Sequence, residues 1–256
     1  MNNYPDYEGY EELSRFTPGQ LSSYRQMLLE KTQSQVDFIG DRLWMPYFKK
    51  PGLKILEIGS GNGRLLIGLH QQGLLESGLG LDISESRTLF ALNWRNSLGI
   101  DWQTLDFYDV DVLEEASLHM RGIVDYSGYD LAVCITGCFQ YFYPIDPEAP
   151  DKVLNFMRES ATYSLFELYK RPIMGRTWKP LPKDDRWKYI LDEYTDVVDW
   201  VEHRKIFVDH NGQEDVRMEY LAYYNMQGFL RKLRNAGFTN VHWAKEGRDS
   251  MVVLVS

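Results

Sequence analysis

Short apolar runs alternate along this chain with longer stretches whose apolar residues recur at helical spacing. Ile55, Leu56 and Ile58 read as a short buried strand that ends where glycines begin, and Leu65, Leu66 and Leu69 then fit an amphipathic helix. The alternation continues with strands over Gly78 to Asp82, Trp102 to Leu105, Asp130 to Thr136 and Tyr163 to Tyr169. Between them, helices are predicted over Glu85 to Asn96, with Ser84 at the N-cap position, and over Pro147 to Ser160. Late in the chain, Met226 to Ala236 reads as a helix stopped by Gly237, followed by a strand pair at Val241 to Ala244 and Met251 to Val255. Strands that alternate with helices predict a mostly parallel sheet between helical layers, an α/β fold, with an antiparallel end.

The first strand-to-helix junction carries chemistry. Gly59, Gly61 and Gly63 follow Glu57 at alternating positions, so the backbone can turn tightly and approach a ligand. The amides opening the next helix face that turn. A dinucleotide fingerprint needs its third glycine three positions after the second, where Arg64 stands. A phosphate loop needs Lys and then Ser or Thr, which Arg64-Leu65 does not supply. A carboxylate ahead of the glycines repels a diphosphate and suits a ligand carrying an ammonium group.

Glu57-x-Gly59-x-Gly61-x-Gly63 resembles motif I of the class I S-adenosylmethionine-dependent methyltransferases, of the small-molecule type. The resemblance covers roughly residues 50 to 170 and 225 to 256. It implies a three-layer Rossmann-like fold with a seven-stranded, mostly parallel sheet and an antiparallel last strand. It also implies S-adenosylmethionine as cofactor and S-adenosylhomocysteine as product. Glu57, Gly59, Ser60, Gly61, Asn62 and Gly63 would cradle the methionine portion. Asp82, with Ile83 beside it, would accept the ribose hydroxyls. Asp106 and the backbone amide of Phe107 would meet the adenine, Asp130 begins the strand of motif IV, and Thr136 would complete the cofactor set. Gln140 and Tyr141 occupy positions that face the transferring methyl in this family, and Tyr10 and Tyr223 join them as expected acceptor contacts.

Composition narrows the partners. At 256 residues, one elaborated domain is expected, with residues 1–49 as a helical arm or cap and 50–256 as the catalytic domain. A net charge of -9 disfavours nucleic acid as the partner. Cys134 and Cys138 form no metal set and no disulfide framework. No signal peptide or membrane-length apolar run is visible, which predicts a cytoplasmic protein, monomeric or homodimeric.

Residues 170–224 interrupt the family plan. Pro172, Pro180 and Pro182 exclude a regular helix at the start of this insertion. Val197 to Val208 and Val216 to Tyr224 read as two strands joined by a two-residue Asn211-Gly212 turn, a β-hairpin lid after strand five. Methyl transfer from a sulfonium is an in-line displacement with an activated leaving group, so the protein mainly positions the nucleophile. A hydroxyl acceptor also needs a base, for which His203 is the candidate, with Tyr141 beside it as a second catalytic candidate. No metal is expected. Three functions stay open: methylation of an oxygen or nitrogen of a small molecule, methylation of a peptide or protein, and non-catalytic S-adenosylmethionine binding. A nicotinamide-dependent dehydrogenase is the competing reading of the fold.

Overall fold

A computed structural model describes residues 18–114, 126–172, 174–180, 187–197 and 199–256. Its centre is a seven-stranded sheet. β1 (Leu53–Ile58), β2 (Leu75–Asp82), β3 (Leu105–Asp109), β4 (Tyr129–Cys134) and β5 (Ala161–Tyr169) run parallel, with β10 (Val241–Glu246) and β11 (Ser250–Val255) beyond β5. The spatial order is β10-β11-β5-β4-β1-β2-β3. β11 alone opposes the others, pairing antiparallel with both β5 and β10. This is the three-layer α/β arrangement with an antiparallel last strand that the sequence predicts.

The apolar runs explain the layering. On β1, Leu53 and Ile55 enter the core on one face with Trp94 and Leu105, while Leu56 and Ile58 enter the core on the other with Phe139 and Phe166. A strand covered on both faces needs a nearly continuous apolar run, and β1 has one, with Lys54 as its exposed exception. The covering helices include α2 (Arg64–Gln71), α3 (Glu85–Ser97), α4 (Ala149–Ser160) and α5 (Met226–Asn235). Asn225 caps α5 by accepting from the Gly228 amide at 2.7 Å, and Gly237 follows the helix at φ 91°.

Ahead of β1, α1 (Pro18–Asp37) runs into a π-helical segment, Phe38–Phe48, that contains Pro46. Residues 18–48 of the expected N-terminal arm are therefore helical, and residues 1–17 lie outside the described residues.

Two expectations change. The third strand spans Leu105–Asp109, beginning where it was expected to end. The Asp101 carboxylate accepts from the Gln103 amide at 2.7 Å and its carbonyl from Thr104 at 3.0 Å, so 101–104 is a turn, and Trp102 is exposed. The insertion is a four-stranded antiparallel sheet rather than a lone hairpin: β6 (Gly175–Pro180), β7 (Trp187–Val197), β8 (Trp200–Asp209) and β9 (Glu214–Leu221). Pro180 ends the edge strand β6, a position where its missing amide breaks no ladder. The β8–β9 connection is a three-residue loop, His210 to Gly212, closed by Asp209 N–H to Gln213 O at 2.9 Å with Gly212 at φ 84°. The Asp209 side chain also accepts from the amides of Asn211 and Gln213, which draws one more residue into the turn.

Candidate functional site

The carboxyl ends of β1, β2 and β3 form one edge, the place where ligands bind in open α/β sheets. The glycine turn sits there. The amides of Gly59 and Ser60 donate to Leu81 O at 2.8 and 3.0 Å, and the Gly61 amide donates to Asp82 Oδ2 at 2.7 Å. The other Asp82 oxygen accepts from the Ser84 amide at 2.9 Å. Asp82 is thus the buried post that fixes the turn to the tip of β2. Ser84 stands before α3 as expected, but its hydroxyl faces Ser86 and caps nothing.

Two glycines divide the labour of the turn. Gly63, at φ 75°, leaves no room: a Cβ there would lie 2.5 Å from the Phe107 ring. Gly61, at φ 55°, faces open space, with nothing within 4 Å of such an atom. One glycine is required by packing, and the other keeps a surface clear.

Glu57 lies beneath the turn and is 4 % exposed, and its Oε2 has no hydrogen-bond partner. Burial pushes its carboxyl well above the usual carboxylate range, the Arg64 charge pulls the other way, and Asp82 adds to the upward push. An unpartnered buried carboxylate oxygen beside an open glycine fits a ligand ammonium group. Asn62 accepts from Arg64 Nε at 3.1 Å, and the same guanidinium donates to Thr32 Oγ1 at 2.7 Å and Leu28 O at 3.1 Å, tying α1 across the turn.

At β3, the register moves the acid. Asp106 pairs with Leu79 in mid-strand and is ion-paired with Arg95 at 2.5 Å. The Phe107 amide donates to the Asp106 carboxylate at 2.9 Å, and the Phe107 ring is buried beneath Gly63 and Gly80. These two residues therefore do not stand at the strand tip, because the strand begins later than expected. Asp109 pairs with Asp82 and holds that level. Asp109, Tyr108, Leu89 and Glu85 line a cleft of about 390 Å³. Around this edge apolar side chains stay uncovered: Ile83 is 69 % exposed, Leu89 52 % and Tyr108 39 %. Asp130 lies at the opposite end, accepting from the Lys54 amide at 2.7 Å, and serves the fold.

Beyond β4 the chain is strained. Thr136 has φ 60°, rare for a β-branched residue, and its amide donates to Glu167 Oε2 at 3.1 Å. Gln35 of α1 donates to the same Glu167 oxygen at 2.8 Å, and Lys31 donates to the Tyr169 hydroxyl at 2.7 Å. A short helical turn at Cys138–Tyr141 follows. Cys138 presses on the glycine turn, where a Gly59 Cβ would overlap its sulfur.

Gln140, expected to face the methyl, has its side-chain amide engaged by the backbone. It is fully buried, donating to Ala222 O at 3.0 Å and Tyr169 O at 3.2 Å while accepting from the Tyr169 amide at 2.7 Å. It is a clasp joining the turn to β5 and to the end of the insertion. Tyr141 remains 40 % exposed, and burial of its hydroxyl, with the nearby Glu219 charge second, raises its pKa enough to keep it neutral. Tyr223 is pushed up to about 12, first by burial, then by Tyr194 and Glu219. His203 has both ring nitrogens engaged, 3.0 Å from Asp192 and 3.1 Å from Glu219, which leaves neither for an acceptor proton. Tyr10 lies outside the described residues.

The structure also brings Asp109 level with Asp82, Lys31 and Gln35 against Tyr169 and Glu167, and Asp192, Tyr194 and Glu219 around His203, none of which was expected from the sequence. Asp109 was signalled by the Asx turn at Asp101. The others come together only through long-range pairing. Among the described residues, no group of three His, Cys, Asp or Glu is placed to hold a metal, and no helix is long and apolar enough to cross a membrane.

No protein-family model matches the chain, and no curated protein matches it in sequence. Solved structures do resemble it. An S-adenosylmethionine-dependent methyltransferase from Clostridium acetobutylicum ATCC 824 aligns with TM-score 0.68 and 15% identity over 88% of this chain and 91% of that one. The magnesium protoporphyrin IX methyltransferase of Synechocystis PCC 6803, solved with bound S-adenosylmethionine, aligns with TM-score 0.54 and 14% identity over 98% and 92%. The [4+2]-cyclase SpnF aligns with TM-score 0.50 and 16% identity over 83% and 59%. The chain has the Rossmann-like fold of the class I S-adenosylmethionine-dependent methyltransferases. That a cyclase shares it shows that the reaction has to be argued from the site.

Proposed function

We propose that this protein is an S-adenosylmethionine-dependent methyltransferase acting on an oxygen or nitrogen of a small molecule. The observation that carries the reading is the buried, unpartnered Glu57 oxygen beneath a glycine turn whose middle residue, Gly61, faces open space. Two similar folds belong to proteins named as methyltransferases, one of them holding S-adenosylmethionine and named for a porphyrin substrate.

Glu57 would take the donor's ammonium group, Gly61 and Asn62 its methionine backbone, and Asp82 the ribose hydroxyls through lone pairs its two amide contacts leave available. Asp109, level with Asp82, would stand at the adenine end, with exposed Ile83, Leu89 and Tyr108 as apolar cover. Bound S-adenosylmethionine supplies a methyl group already activated on a sulfonium. The chain's own task is to hold an acceptor against it and exclude water. α1 serves this through Lys31, Thr32 and Gln35, and the inserted sheet closes the side beyond Tyr141. With His203 tied to two carboxylates, no general base is assigned, which favours a nucleophile that needs none.

A crystal grown with S-adenosylhomocysteine tests this reading. The amino group should lie at Glu57 and the adenine near Asp109 and Tyr108. A nucleoside placed elsewhere contradicts it.

A further inference from the structure

The inserted sheet turns one of its faces toward Tyr141 and Tyr223, and that face is built around a charge cluster the transfer chemistry does not use. Antiparallel register places Tyr194 opposite His203 and His203 opposite Glu219. The His203 ring lies between two carboxylates, its Nε2 3.0 Å from Asp192 Oδ1 and its Nδ1 3.1 Å from Glu219 Oε2. Tyr194 stacks on it, with centroids 4.3 Å apart and planes 14° apart.

Burial is graded along this row. The side chains of Asp192 and His203 are 5% and 8% exposed, and that of Glu219 is 42% exposed. The inner members are sealed, while the outer carboxylate is partly open to solvent. Glu219's negative charge opposes ionisation of Tyr141, Tyr194 and Tyr223, so the four groups sit within one another's field. An imidazole held between two carboxylates keeps its proton, so Asp192, His203 and Glu219 together carry one negative charge, with the Lys205 and Arg217 charges nearby. On the side of the phenols, the half-exposed Glu219 carboxylate presents a negative point beside aromatic faces, both of which favour a cation.

We propose that Glu219, oriented by His203 and Asp192, is the specificity-determining carboxylate of the acceptor pocket, and that the acceptor is a small molecule bearing a protonated amine that anchors it, distinct from the neutral atom that receives the methyl. This rests on the methyltransferase reading for the identity of the pocket, and on the cluster alone for its preference. His203 is then a positioning residue, acting on the ligand only through Glu219. Exposure alternates along β9, so Val216, Met218 and Tyr220 form a second face of the same sheet that carries no part of this proposal.

The test is calorimetric titration of the full chain with phenethylamine and with 2-phenylethanol, which share a skeleton and differ in the cation, with and without S-adenosylhomocysteine. The amine should bind at least tenfold more tightly than the alcohol. Glu219→Gln should erase that ratio, with a melting curve close to that of the parent. His203→Asn should lower affinity for the amine and leave that for the alcohol unchanged, whereas a merely structural role would weaken both alike. Equal binding of the two probes, a ratio that survives Glu219→Gln, or binding of neither to the folded protein overturns the proposal. Failure of S-adenosylhomocysteine to bind, with the amine preference still following Glu219, defeats the donor reading instead and leaves this one standing.

Discussion

The donor edge and the acceptor side of this site are built by different kinds of contact. At the donor edge, the turn that follows β1 is fixed by Asp82, 21 residues along the chain from Gly61. On the acceptor side, Lys31 meets Tyr169 across 138 residues, Gln35 meets Glu167 across 132, and Gln140 meets Ala222 across 82. A local device has to be written into consecutive residues. A device assembled from distant segments leaves only ordinary side chains at each place. The first kind constrains what the site holds, and the second constrains what it accepts.

Substitutions should separate the two regions, and the largest effect is expected at Gly63. Gly63→Ala forces a Cβ into the Phe107 ring at φ 75°, and the combined backbone and overpacking cost is on the order of 3 kcal/mol. Thermal unfolding should show a drop of several degrees, and an unchanged melting temperature would place Phe107 elsewhere. Next comes Gln140→Ala, which strands the Tyr169 amide and two carbonyls, at roughly 2–3 kcal/mol. Hydrogen exchange should rise at Tyr169 and Ala222 while the amides of Gly59 to Gly61 keep their protection. Equal loosening at both places would mean that the two regions are not separable.

A smaller effect belongs to pH. Burial opposes the His203 imidazolium, but the hydrogen bonds it donates to Asp192 and Glu219 outweigh it and raise its pKa above the ordinary 6.5, with Lys205 opposing. The His203 hydrogen bond in turn lowers that of Glu219 below its ordinary 4.5, although burial pushes against it. A raised histidine pKa stabilises fully below 6.5 and loses that contribution as pH climbs through the folded value. A lowered carboxylate pKa stabilises above 4.5 and fails as pH drops through its folded value. The stability gap between the parent and His203→Asn should therefore be widest between pH 4.5 and 6.5 and narrow on both sides. A gap that does not vary with pH would mean the ring is neutral.

This division also explains what could be read in advance. The strand-glycine-helix unit, β2 ending at Asp82, and the antiparallel closing pair follow from periodicity and glycine spacing, and the structure has them. The start of β3 was misplaced by three residues because an apolar Trp102 resembles a strand residue until Asp101 is seen to form a turn beneath it. Two further strands of the insertion lay hidden in a proline-rich, charged stretch whose period was too weak to show. Gln140 was assigned by its position after β4, yet its amide is consumed by backbone partners that only the folded chain supplies. Nothing in the residues of α1 announced that it would lie over the site.

The glycine turn is the proposed seat of the methyl donor, and Gly61→Leu tests that seat most directly. The structure leaves space at this position, so the variant should melt within a few degrees of the parent, after an expected backbone cost of about 1–2 kcal/mol. Calorimetry should show S-adenosylhomocysteine binding the parent at one site and a loss of at least a hundredfold in affinity for Gly61→Leu. A folded variant that binds as tightly as the parent would contradict the account.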